Sequence, residues 1–134
     1  MAITPAAGFV NLFGAVIIGL AAGFVCFTAL RLKMMFKFDD SLDVVAVHLV
    51  GGVVGTLLLG LLADHTINAA ATGGMDQLGR QAVAVTIALG YAFTVTFVIA
   101  KVLEYTIGIR VSDADEREGL DVTLHEEQAY LFVE

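Results

Sequence analysis

The sequence has no tryptophan, a single cysteine, a single proline and few charged residues, 16% of its 134 positions. One cysteine, Cys26, excludes a disulfide framework and a cysteine metal motif, and its apolar neighbours make it a packing residue. The seven lysines and arginines form no cluster rich enough for a nucleic-acid surface. No Ser-His-Asp set, phosphate-binding loop or zinc or iron spacing is present, so no enzyme activity, metal or cofactor is expected. Residues 1–8 lack the positive region of a signal peptide, which leaves membrane insertion to the spans themselves.

What the sequence does have is apolarity: 58% of it is hydrophobic, with a mean hydropathy of +0.87. Those values put the membrane class first. Residues 11–30, 41–63 and 81–103 form three long apolar runs, each near the ~20 helical residues that cross roughly 30 Å of hydrocarbon. Residues 1–10, punctuated by Pro5 and Gly8, read as a connection leading into the first of them. Arg31, Lys33 and Lys37 follow the first run, and Lys101 and Arg110 flank the end of the third, whereas residues 64–80 hold only Arg80. That asymmetry predicts an outside N-terminus and a cytoplasmic C-terminus for a multi-pass protein with lipid as a partner; the expected location is the plasma or inner membrane.

Nine of the fourteen acids lie from Glu104 onward, so the acidity belongs to a tail. Ser112 with Asp115, and Thr123 with Glu126, have capping-box spacing, predicting two short helices broken at Gly119. Tyr130, Leu131, Phe132 and Val133 give the second an apolar end for docking. The expected architecture is all-α and polytopic: a three-helix transmembrane domain, 1–103, and a short helical cytoplasmic tail, 104–134.

His48 is the one ionisable group inside the second run. Such a group is costly in hydrocarbon and faces protein or a water-filled path; it can hold a helix bundle together or serve a substrate. On a helix it shares a face with Val44, Gly51, Gly52 and Gly55, which leaves room beside the imidazole for close helix contact or a narrow lumen. Gly51 and Gly55, like Gly19 and Gly23, have small-xxx-small packing spacing. Asp39, Asp40 and Asp43 head the same run. Asp40 reads as a helix cap, and Asp43, nearer His48, as a candidate lining group of a cytoplasmic vestibule. His65 reads as a solvated loop residue. A neutral imidazole donates from one nitrogen and accepts at the other, which suits His48 to pass a small polar molecule or relay a proton.

Residues 38–55, Phe-Asp-Asp-Ser-Leu-Asp-Val-Val-Ala-Val-His-Leu-Val-Gly-Gly-Val-Val-Gly, resemble the tenth transmembrane helix of the Amt/Mep/Rh ammonium transporters. Residues 2–8 resemble that family's approach to its ninth helix, and 119–130 its cytoplasmic tail. The resemblance implies a C-terminal portion, helices nine to eleven, of an eleven-helix fold that assembles as homotrimers around hydrophobic ammonium/ammonia pores. It implies that His48 is one of a pore histidine pair, that Asp40 is structural, and that Thr123, His125 and Tyr130 belong to a regulatory tail that answers to PII-type signalling proteins. Glu126 departs from the family's usual glycine, which predicts a continuous tail helix. A non-transporting membrane adaptor with a regulator-binding tail is the alternative expectation.

Overall fold

The computed structural model describes residues 1–127, and its regular elements are all helical. Helix α1 spans Leu12–Phe36. Asn11 caps it, accepting the Gly14 N–H at 2.9 Å. It ends where Lys37 adopts a left-handed conformation (φ 51°) and the Phe38 N–H reaches back to the Lys33 carbonyl at 3.1 Å. The helix runs past the apolar stretch that predicts it. Arg31, whose guanidinium lies over the Phe27 ring, and Lys33, in the last turn, stay helical because their charges favour the negative end of its dipole.

The second span begins later than expected and in a different form. Residues 41–42 form a turn, and Val44–Leu49 is a π-helix that passes into α2, Val50–Leu62. The wider hydrogen bonding shows at the junction, where the Val50 N–H donates to the Val45 carbonyl five residues back. Helix α3, Met75–Thr106, starts ahead of its apolar run. Asp76 favours the positive end of the dipole, and polar residues such as Gln77 and Arg80 extend the helix without needing hydrocarbon. The three spans have mean hydropathies of 2.3, 2.2 and 2.1. Helix α3, 32 residues and so ~48 Å long, buries no residue, as suits a helix with an apolar body in lipid or against further protein.

The chain divides into two units, Met1–Tyr91 and Ala92–Glu134. In the first, residues 1–10 fold back over the helices, and Ala2, Ala6, Ile18, Leu59 and Ala63 form the core, flanked by Phe9, Val10 and Leu58. Gly55 makes this possible: a Cβ there would sit 1.9 Å from the Ala2 carbonyl oxygen. Gly60 does the same for α3, since its Cβ would lie 2.7 Å from the Leu78 Cα. Gly19 and Gly23, in contrast, have no atom near the Cβ position, so the packing expected of them is not made within this chain.

At the far end of α2, Asp64 ties three segments together. Its N–H donates to the Phe9 carbonyl at 2.8 Å. Its carboxylate accepts from the Asn11 side chain at 2.8 Å and from the Thr66 N–H and hydroxyl at 2.9 and 2.7 Å. The Thr66 hydroxyl, then its N–H and Asn11, hold this carboxyl below its usual 3.8. His65 beside it is exposed.

In the second unit, α4 (Asp113–Glu118) starts at Ser112, whose hydroxyl accepts the Asp115 N–H at 3.2 Å, as its capping-box spacing predicts. The other box does not form. Helix α5, Leu120–His125, begins directly after Gly119, so Thr123 lies inside it and donates its hydroxyl to the Gly119 carbonyl at 3.1 Å. Glu126 ends α5 in the left-handed conformation (φ 54°), so the continuous helix expected from its replacing glycine is not formed at this point. Tyr130 and the apolar end around it lie outside the described residues.

Two outcomes follow from this packing. Gly55→Ala is expected to destabilise the folded chain by ~3 kcal/mol or more, because backbone rather than a movable side chain occupies the space; an unchanged denaturation midpoint in detergent would refute the contact. Since the folded-state pKa of Asp64 is depressed, its stabilising bonds are complete above the ordinary 3.8 and are lost as pH falls through the lower folded value. Hydrogen exchange at Thr66 should therefore accelerate, relative to its intrinsic rate, on acidification below that value, and Asp64→Asn should abolish this pH dependence.

Candidate functional site: the His48 cavity

The site begins with the turn ahead of the π-helix. The Asp40 carboxylate accepts from the Val44 and Val45 N–H groups at 2.9 and 2.8 Å, satisfying two donors that a helix start leaves free. Asp43, directly before Val44, has a left-handed backbone (φ 56°). Its carboxylate is ion-paired with Lys33, whose ammonium also donates to the Asp40 carbonyl. Asp40 and Asp43, two of the three aspartates expected at the span head, are thus engaged locally. Asp43 serves the turn, and it does not line the cavity around His48.

His48 lies in the last turn of the π-helix. It lines a cavity of about 230 Å³ with Leu49, Gly52, Val53 and Thr56 on its own span and Val85, Ala88 and Leu89 on α3. The imidazole is exposed within this chain. Every other lining side chain is apolar except Thr56, whose hydroxyl donates to the Gly52 carbonyl at 2.9 Å.

The glycines expected on one face with His48 divide between two. Gly52 opens into the cavity, with nothing within 4 Å of its Cβ position. Gly51 and Gly55 are buried on another side: a Cβ on Gly51 would meet the Cys26 sulfur at 3.3 Å, and Gly55 meets Ala2. Val44, one turn before His48, is half exposed and stands outside the cavity lining. Sequence reading missed Thr56 and Lys33. Thr56 follows Gly52 at helical spacing and was open to discovery; Lys33 acts across a loop, where spacing carries no signal.

The second unit holds Thr123 and, in the last turn of α5, His125. Among the described residues no three His, Cys, Asp or Glu side chains converge as a metal set. The cavity can therefore offer a small ligand one imidazole, one hydroxyl oxygen and apolar walls.

Comparison with known proteins adds the context. A model of the Ammonium Transporter Family matches residues 1–130. The chain is 45% identical over 132 residues to ammonium transporter Amt1 of Archaeoglobus fulgidus, covering 96% of this chain and 34% of that protein. It is 45% identical over 143 residues to an ammonium transporter of Mycobacterium tuberculosis, covering 98% and 30% respectively. The crystal structure of Saccharomyces cerevisiae Mep2 matches with a TM-score of 0.77 and 34% identity, over 84% of this chain and 28% of that one. The chain thus spans about a third of the length of these relatives.

The cap geometry yields one expectation. Asp40→Ala should cost about 1–2 kcal/mol and speed hydrogen exchange selectively at the Val44 and Val45 amides; unaltered exchange there would contradict the capping role.

Proposed function

Because the chain belongs to the Ammonium Transporter Family, we propose that it forms one wall of a hydrophobic ammonia pore in which His48 meets the substrate. The observation that carries this reading is a lone imidazole on a 19-residue apolar span, opening into a cavity that is otherwise almost wholly apolar. Ammonium entering such a space would forfeit a hydration energy of tens of kcal/mol, whereas neutral ammonia keeps only a small polar demand. The substrate therefore gives up its proton to water at the pore mouth, before the apolar section. The His48 ring then donates its N–H to the ammonia lone pair or accepts one of ammonia's N–H groups at its other nitrogen. Gly52 keeps the imidazole's flank clear.

The second imidazole of the pore pair comes, on this reading, from the helices that make up the rest of the family's fold. The whole protein is a homotrimer of the plasma or inner membrane, surrounded by lipid. The basic residues around the ends of α1 and α3 favour a cytoplasmic C-terminus and an outside N-terminus. The acidic tail, with Thr123, His125 and Tyr130, is the surface for a PII-type partner. Val44 and Asp43 act at the cytoplasmic approach through the turn they build, and Asp40, Gly51 and Gly52 act through the shape of the span.

Methylammonium uptake in cells lacking other ammonium transporters tests the reading. His48→Ala is expected to lower uptake roughly tenfold or more, and Gly52→Leu to do likewise by filling the cavity. Equal uptake by His48→Ala, at equal amounts of membrane-inserted protein, would reject His48 as the substrate-facing group.

A further inference from the structure

Lys33 lies on α1, ten positions before Asp43 and a span away from His48 in function, yet it touches both elements that decide where the π-helix starts. Its ammonium holds the Asp43 carboxylate and the Asp40 carbonyl together. Its side chain is only 19% exposed, against 43% for Asp43, so this pair is not a freely solvated surface contact. Asp43 holds a left-handed backbone (φ 56°), a conformation that is unfavourable for a non-glycine L-residue. The next residues begin the π-helix, and the Asp43 carbonyl accepts its Val47 N–H at 2.9 Å. The Asp40 carboxylate takes the first two amides of the same turn.

We propose that Lys33 is a positioning residue for His48: by clamping Asp43 and the Asp40 carbonyl, it fixes the π-register and with it the direction in which the imidazole leaves the span. The physical step is simple. A π-turn holds one more residue than an α-turn, and such turns persist only where neighbouring structure holds them. With the clamp released, Asp43 can relax to a right-handed conformation and the turn can tighten to α. Every side chain on one side of the tightened turn then rotates relative to α2, whose Gly51 and Gly55 are fixed against residues 1–2 and Cys26. His48, on the free side of that boundary, is the residue that swings. The ordinary role of a lysine at this helix end, setting topology, requires none of these bonds.

The proposal rests on His48 being the pore imidazole for its functional meaning, but its test does not require transport. In a Cys26→Ala, His48→Cys background, the alkylation rate at position 48 reports how the side chain is presented. Lys33→Met is expected to change that rate by roughly fivefold or more, with Lys33→Arg, or the exchanged pair Lys33→Asp with Asp43→Lys, returning it towards the starting value. Asn11→Ala, which loosens the opposite end of α1, should leave it unchanged. An unaltered rate in Lys33→Met overturns the proposal, and so does an equal change in Asn11→Ala, which would mean general loosening. Uptake by His48→Ala is scored separately, so failure of the pore reading is distinguishable from failure of the clamp.

Discussion

The backbone of residues 1–2 lies directly against α2 at Gly55, and this contact decides which side of the second span is left for chemistry. No side chain fits between the Ala2 carbonyl and the helix. With that side closed, and Gly51 closed by Cys26 and Met1, the remaining side of the helix carries His48, Gly52 and Thr56 into the cavity. An N-terminal segment that reads as a mere approach to a helix is therefore the wedge that orients the cavity-facing surface. Apolar burial in this unit is small, limited to Ile18, Leu59 and a few alanines, so close backbone contact rather than bulk of side chains sets the geometry.

Polar interactions collect at the two ends of the helix pair. At one end Asp64 joins Asn11, Thr66 and the Phe9 carbonyl; at the other Lys33 joins Asp43 and the Asp40 carbonyl, while Asp40 caps the next turn. Placement at the ends is what the solvent dictates, because each unpaired polar group at the bilayer centre costs several kcal/mol and water at the rim removes that cost. His48 stands between these two networks with a cavity for a neighbour, which is why it carries the functional argument.

The sequence alone made three apolar spans legible, along with an ionisable outlier in the second and the Ser112 cap of the tail, because apolarity and capping are local properties. Helix ends were less legible: Lys33 and Asp76 are helical although charged, since a helix end is set by caps and dipole rather than by the edge of hydrocarbon. The π-helix left no trace in the residue pattern, because the contacts beside its start, from Lys33 on another helix to Asp43 and the Asp40 carbonyl, join residues seven and ten positions apart. The same holds for the division of Gly51 and Gly55 from Gly52, which depends on where residues 1–2 and Cys26 lie. In the tail, Thr123 matched a capping pattern that Gly119 pre-empted by letting α5 begin at once.

Lys37 and Asp43 bracket the loop between α1 and the second span, and both hold positive φ angles that glycine would occupy without penalty. The chain has accepted backbone discomfort at both hinges of one short connection. At Asp43 the return is visible, a carboxylate for Lys33. At Lys37, among the described residues, no bond from the ammonium accompanies the left-handed turn, so the two positions should part company under sequence drift: glycine is an easy replacement for the lysine and a damaging one for the aspartate.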